Sequence, residues 1–231
     1  MKLQTIKVVS YNIRYARGMD DQVNLNRVAA VLAWSGAQLM GLQEVDKHLP
    51  RSGFRHQAKH LGWLLHRHWV FAPNVKWGPW AQYGNAVLSY WPIIEHKHYP
   101  LPSKGEPRGL LEVEVNINNR AVAFFCTHLG LSREERLEQV EIILKVMTAA
   151  NKPSILVGDF NDDRDSQEFN LISRLLQDAT AITGGFETFP ADNEQLDFVF
   201  VSHHWQVLAA RPIISRASDH LPVLVELSLN N

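Results

Sequence analysis

Apolar and polar positions along this chain switch between a period suited to strands and one suited to helices. Ile6 to Ser10 is rich in β-branched residues and runs into Tyr11-Asn12, which predicts a strand. Asn24 can cap a helix whose apolar positions Leu25, Val28, Ala29 and Leu32 recur at helical spacing and which stops near Gly36. Leu39 to Gln43 reads as a buried strand. Ala86 to Ser89, Leu110 to Ile117 and Ala121 to Thr127 read as three more, the last two joined through Asn118-Asn119 as a hairpin. Ser132 to Glu135 has capping-box spacing, followed by an apolar stripe of Leu137, Val140, Leu144 and Met147 that runs out before Asn151 and Pro153. Ser154 to Val157 is a short buried strand, Asp165 can cap a helix through about Leu176, and Leu196 to Val201 and Val223 to Leu227 close the chain as strands. One segment breaks the pattern. From His66 to Tyr83, Arg67, Lys76, Trp69, Trp77 and Trp80 are interleaved with Pro73, Gly78 and Pro79, which predicts a long loop or an irregular hairpin.

Strands and helices alternating over 231 residues that are 45% hydrophobic imply a single α/β domain spanning 1 to 231. The net charge of -1 spreads 23 basic residues among 24 acidic ones with no basic run, which argues against a surface built for a polyanion. Cys126, the single cysteine, cannot form an intramolecular disulfide and reads as a small buried hydrophobe, in keeping with a reducing, cytoplasmic setting. The start of the chain, MKLQTIKVVSYN, has neither a continuous apolar core nor a small-residue cleavage site, and no stretch approaches the roughly 20 apolar residues that span a bilayer. A soluble, unexported protein is expected.

The polar residues that end apolar strands carry the chemistry, because a strand end holds side chains rigidly at the edge of a sheet. They are Asn12, Glu44, His128, Asp159 with Asn161, Asp197, and Asp219-His220. Singly, each has a bland explanation as a turn residue, a solvated carboxylate or a hydrogen-bonded structural imidazole. Asp197 is harder to dismiss: flanked by Leu196 and Phe198-Val199-Phe200, its carboxylate needs a partner, and an imidazolium is an apt one. Asp159 and Asn161 are two apart, so in extended chain they would address one ligand from the same side. Oxygen ligands of this kind suit Mg²⁺ or Mn²⁺, and no Cys cluster or His-x-x-x-His helix offers the usual zinc site.

Taken together, SYNIR (10 to 14), LQEVD (42 to 46), YGNAVLS (83 to 89), THL (127 to 129), GDFN (158 to 161), LDFVF (196 to 200) and SDHLPV (218 to 223) resemble the endonuclease/exonuclease/phosphatase (DNase I-like) superfamily. The resemblance implies a four-layer α/β sandwich, two mixed sheets face to face with helices on both outer faces. It implies that Glu44 is the principal metal ligand with Asn12 beside it, that Asp159 orients or deprotonates a water, and that Asn161 binds a phosphate oxygen. His220 would contact the phosphate as base or electrostatic stabiliser, oriented by Asp197, and His128 would stand opposite as general acid or phosphate clamp. Asp219 is either a further metal ligand or an orienting carboxylate. Asn85 and Arg108 are candidate phosphate contacts, the latter because guanidinium matches phosphate bidentately.

The expected activity is Mg²⁺- or Mn²⁺-dependent hydrolysis of a phosphate ester, on a small molecule, sugar phosphate or lipid headgroup. A DNA or RNA nuclease is the alternative, disfavoured by charge, and a non-catalytic binding protein is a lesser one, disfavoured because Glu44, Asp159, Asp197 and His220 are all present. The Trp-rich segment 66 to 83 could stack on a nucleic acid strand, meet a membrane interface, or pack as a lid.

Overall fold

Residues 5–230 are described by a computed structural model, and the elements largely follow the hydrophobic pattern. In chain order they are β1 (Thr5–Asn12), α1 (Leu25–Ser35), β2 (Leu39–Lys47), α2 (Gln57–Leu65), β3 (His68–Trp77), β4 (Ala81–Ser89), β5 (Ile93–Leu101), β6 (Arg108–Ile117), β7 (Arg120–His128), α3 (Arg133–Ala150), β8 (Ser154–Asp159), α4 (Gln167–Ser173), β9 (Gln177–Asp178), β10 (Asp197–Val201), β11 (Trp205–Pro212) and β12 (Val223–Leu229). One six-stranded sheet has the order β11-β12-β1-β2-β4-β3, the other β5-β6-β7-β8-β10-β9. Each is mixed in the same way: a central parallel pair, β1 with β2 and β7 with β8, is flanked on both sides by antiparallel partners.

Three apolar layers hold this together. Val8, Leu39, Val87, Val113, Phe124, Cys126, Val157, Val199 and Val225 fill the space between the sheets. Leu25, Val28 and Leu32 of α1 and Leu61 of α2 cover the outer face of the first sheet through Val9, Tyr11, Met40 and Leu42. Val140, Ile143 and Met147 of α3, with Ile172 of α4, cover the second through Phe125, Leu156, Phe198 and Phe200. Central strands therefore bury both faces, which is why β8 and β10 read as continuous apolar runs. The four-layer sandwich of two mixed sheets with outer helices is the architecture observed.

Several boundaries repay comparison with the pattern. Asn24 caps α1 by accepting the Asn26 N–H, and Gly36 closes it at φ 64°. Asn118 and Asn119, at φ 54° and 62°, make the tight β6–β7 turn. Ser132 caps α3, but the capping box is half made: Glu135 turns instead to the Lys104 and Gly105 amides of a neighbouring loop. The buried face of α3 is likewise rotated, with Leu137 and Leu144 half-buried while Gln139, Val140, Ile143 and Met147 are enclosed. Ser166, not Asp165, caps α4, which stops at Ser173 rather than Leu176. Segment 66 to 83 is no loop; it is the β3–β4 hairpin with one bulge, between Pro73 and Val75. The pattern does not reveal α2, β5 or β11. α2 is short, contains Gly62 and is capped by His56, and β5 and β11 lie at sheet edges, where exposed polar positions erase the apolar run. Cys126 is fully enclosed, its thiol pushed up to about 12 by burial. Among the described residues no helix is long and apolar enough to cross a membrane. The leader reading rests in part on residues 1–4, outside the described residues.

Candidate active site

The two parallel pairs bring their C-terminal ends to one edge of the sandwich. Asn12 ends β1, His128 ends β7, Asp159 ends β8, and Asp197 opens the antiparallel β10 directly opposite Asp159. Glu44 arrives differently. The β2–β4 register slips between Leu42 and Val45, and Glu44 sits in that bulge at φ 58°, a left-handed conformation that costs a non-glycine residue energy and here aims its carboxylate at Asn12. Beyond Asn12 the chain holds three more left-handed residues, Arg14, Tyr15 and Ala16. Gln57 of α2 pins them by donating to the Tyr15 carbonyl at 2.7 Å.

Asp159 is the hub. Its Oδ2 accepts from Asn12 Nδ2 at 2.9 Å and lies 3.5 Å from His128 Nε2 and 3.7 Å from His220 Nε2, while the other carboxylate oxygen accepts the Asn161 N–H at 3.0 Å. Burial alone would push this carboxyl upward; the two imidazoles, with the Asn12 and Asn161 donors, hold it below the ordinary range, so it stays ionised. Glu44 accepts from the same Asn12 amide at 3.1 Å, and the Tyr83 hydroxyl beside it also favours its ionised form. Burial, reinforced by the charge of Asp159, raises its carboxyl.

The two histidines are in opposite states. His220 lies 2.8 Å through Nδ1 from Asp197 Oδ2, its ring against Phe189. Burial opposes its charge, but Asp197 and Asp159 outweigh burial and push its pKa up to about 10, so it is an imidazolium at neutral pH. Asp197 is itself pushed up to about 6 by burial and is anionic there. Thr188 Oγ accepts the backbone N–H groups of Leu196 and Asp197, which fixes the carboxylate's strand. His128 is enclosed, and burial with Arg108 nearby pushes it down to about 3. Arg108 Nη1 stands 3.3 Å from its Nδ1. A guanidinium only donates, so Nδ1 accepts and the proton of the neutral ring is on Nε2, facing Asp159.

The remaining expected residues fall around this centre. Asn85 donates to the Gly109 carbonyl at 3.0 Å, which ties the two sheets together beside Arg108. Arg108 is buried and pairs with Glu106. Asp219 is tied to Arg14, whose Nε lies at 3.1 Å, while its neighbour Ser218 donates to the Asn12 carbonyl at 2.8 Å. Asn161 is not in extended chain. At φ 52° it turns with Asp159, and its amide donates to the Leu129 carbonyl at 2.8 Å, so it joins the loops after β7 and β8. Tyr83, Thr188 and Arg14 were not singled out from sequence. Tyr83 lies within YGNAVLS and Arg14 ends SYNIR, whereas Thr188 carries no pattern that marks it.

Asp159, Asp197 and His220 offer ligand atoms within 4.8 Å of one another, close enough that they could hold a metal ion. The donor set as a whole fits a hard cation. Four carboxylates, Glu44, Asp159, Asp197 and Asp219, lie beside two cations, His220 paired with Asp197 and Arg14 paired with Asp219, since Arg108 is matched by Glu106. Burial and, after it, the neighbouring Asp159 charge raise the Glu44 carboxyl, and a cation beside it would oppose both.

The model of the endonuclease/exonuclease/phosphatase family matches residues 9–220. Among solved structures, a protein of that family from Beutenbergia cavernae superposes with a TM-score of 0.86 at 26% identity, covering 99% of this chain and 72% of that one. A family protein from Bacteroides thetaiotaomicron gives 0.80 at 23% identity over 100% of both chains. A mannosyl-6-phosphatase from the same bacterium gives 0.76 at 24% identity, over 96% of this chain and 99% of that one. Comparison with curated proteins finds no match.

Proposed function

The chain belongs to the endonuclease/exonuclease/phosphatase family, and from that premise we propose that it is a divalent-metal-dependent hydrolase of a small phosphate ester, acting as a phosphatase or phosphodiesterase. Members of the family are generally hydrolases of phosphate esters. The observation that carries the reading is the crowding of three donors, from Asn12, His128 and His220, around one ionised oxygen of Asp159.

In this reading Glu44, with Asn12 beside it, would hold Mg²⁺ or Mn²⁺. The Asp197–His220 pair is less apt, since the two would have to part from each other. When bound, the cation neutralises charge on the phosphoryl oxygens. Asp159 orients the attacking water and takes its proton at Oδ2. His220, already an imidazolium, stabilises charge developing on the phosphoryl group and cannot serve as its base. His128 donates a neutral Nε2–H to a phosphoryl oxygen and is a clamp rather than a proton source, because its imidazolium is inaccessible near neutral pH. Arg108 sets that tautomer. Asn161 and Asp219 act on the loops, through Leu129 and Arg14.

Small substrates are favoured over nucleic acid because the arginines near the site are each matched by a carboxylate: Arg14 by Asp219, Arg51 by Asp46, Arg108 by Glu106. That a mannosyl-6-phosphatase shares the fold makes sugar phosphates the first compounds to try. The test is phosphate release from a panel of phosphomonoesters and diesters with Mg²⁺, with His220→Ala as control. Turnover lost in the variant and in excess chelator supports the reading; full activity under chelation removes the metal mechanism.

A further inference from the structure

The alternation of β3 is interrupted at Asn74, and the interruption decides where Trp77 points. Val70 and Ala72 pair with Val87 and Asn85, and Val70, Ala72 and Val87 lie in the core between the sheets. After the register slips between Pro73 and Val75, Val75 pairs with Tyr83 and Trp77 with Ala81. Residues two apart on a strand share a face, and so do cross-strand partners. Ala81, Tyr83, Asn85 and Val87 of β4 therefore look one way, and Trp77 looks with them. Unbroken alternation from Ala72 would send Trp77 to the opposite face, the one covered by α2. The extra residue turns it instead to the side on which Tyr83 meets Glu44.

The bulge is fixed from both sides. Asn74 Oδ1 lies 3.1 Å from His98 Nε2, on β5 of the other sheet. Opposite it, a Cβ on Gly84 would come within 2.1 Å of the Ala72 carbonyl oxygen and 2.8 Å of the Asn74 nitrogen. Bulges beside active sites commonly re-aim a side chain in this way. Trp69, which faces the other side, is committed to His56 at 4.9 Å between ring centroids. Trp77 is 51% exposed. Its partner Ala81 is two residues from Tyr83 on β4, roughly 7 Å along the strand.

Resting on the hydrolase reading, we propose that Trp77 is the stacking wall for a ring carried by the alcohol portion of the substrate, and that the enzyme selects phosphate esters of ring-bearing alcohols. A rigid indole buries a large flat area at low entropic cost, and a ring stacked on it improves recognition by about tenfold or more.

The experiment compares hexose 6-phosphate, adenosine 5′-monophosphate and glycerol 3-phosphate, each as monoester and as methyl diester, by kcat/KM with Mg²⁺. Wild type is expected to prefer one of the two ring-bearing alcohols over glycerol, and which one tells a saturated ring from a nucleobase. Trp77→Ala should lower that preference about tenfold, Trp77→Phe should keep most of it, and Trp80→Ala, at the exposed turn, should leave it alone. Deleting Asn74, which restores regular alternation, should mimic Trp77→Ala. A preference unchanged in Trp77→Ala overturns the proposal, as does a wild type that hydrolyses the glycerol esters equally well. Weakened binding to phosphatidylcholine vesicles with an unchanged preference would assign Trp77 to a membrane and overturn it too. Wild-type inactivity on all six compounds and on an activated phosphodiester would instead sink the hydrolase reading beneath it, an outcome distinct from lost selectivity.

Discussion

Asp197 Oδ2 and His220 Nδ1, both on buried side chains, lie 2.8 Å apart, and this contact keeps the His220 ring charged at neutral pH. Asp197→Asn retains the shape and removes the charge. The His220 pKa should fall from about 10 toward or below its ordinary value, because the desolvation that opposes the cation then meets less resistance. Turnover should drop by roughly 10²–10⁴-fold, as for other His-orienting carboxylates. NMR titration of the His220 ring alongside kcat checks both, and a cationic ring at pH 8 in the variant would refute the assignment.

Glu44→Gln separates metal binding from chemistry. If Glu44 and Asn12 hold the cation, Mg²⁺ should raise the melting temperature of the wild type and leave that of the variant nearly unmoved, since a ligand that binds the folded state stabilises it by mass action. Equal Mg²⁺-induced shifts in both proteins would move the ion elsewhere, toward Asp159, Asp197 and His220.

Arg108→Met should affect His128 in a defined direction. Burial is the main cause of that ring's depressed pKa and Arg108 adds to it, so the value should rise from about 3 yet stay below the ordinary 6.5. Loss of the fixed Nε2–H donor should cost about 10²-fold in kcat/KM. An unchanged ¹⁵N tautomer signature for His128 would show that Arg108 does not set it.

His56 makes stability depend on pH away from the active site. Its Nδ1 accepts the Lys59 N–H at 3.4 Å to cap α2, which requires a neutral ring, and burial with nearby Lys47 lowers its pKa to about 4. The folded value lies below the unfolded one, so stability is complete above about 6.5 and is lost as pH falls from there to about 4. The loss should be of order 1–2 kcal/mol, allowing for the ring's partial exposure. Denaturant titrations should show it, with His56→Asn, which can still cap, removing this part of the slope.

Gly84→Ala should destabilise by about 1–3 kcal/mol, because its Cβ would collide with backbone that forms the β3 bulge. Chemical denaturation measures this, and a neutral result would mean that the bulge relaxes freely.

Central strands and capped helices were legible from the sequence because burial of both faces, or a cap with a periodic stripe, leaves an uninterrupted signal. Asn24, Gly36 and the Asn118-Asn119 turn are examples. Elements whose stability comes from neighbours were not: α2 relies on a histidine cap and on packing against β3, and β5 and β11 borrow register from the strands beside them. The site was legible as residue types at strand ends. It was not legible as protonation states, since the charge of His220 and the neutrality of His128 depend on contacts 23 and 20 positions away in the chain. The bulges that aim Glu44 and Trp77 were equally hidden, because one extra residue in a strand leaves no mark in composition.

The matched plan of the two sheets has a further consequence. Asn12 and Glu44 come from the parallel pair of one sheet, His128 and Asp159 from that of the other, and the 2.9 Å contact between Asn12 and Asp159 bridges the seam. Neither half of the chain owns a working centre. Catalysis is thus a readout of docking: any loosening of the sandwich, even with every strand intact, separates the halves of the site, so activity should vanish before secondary structure does on mild denaturation.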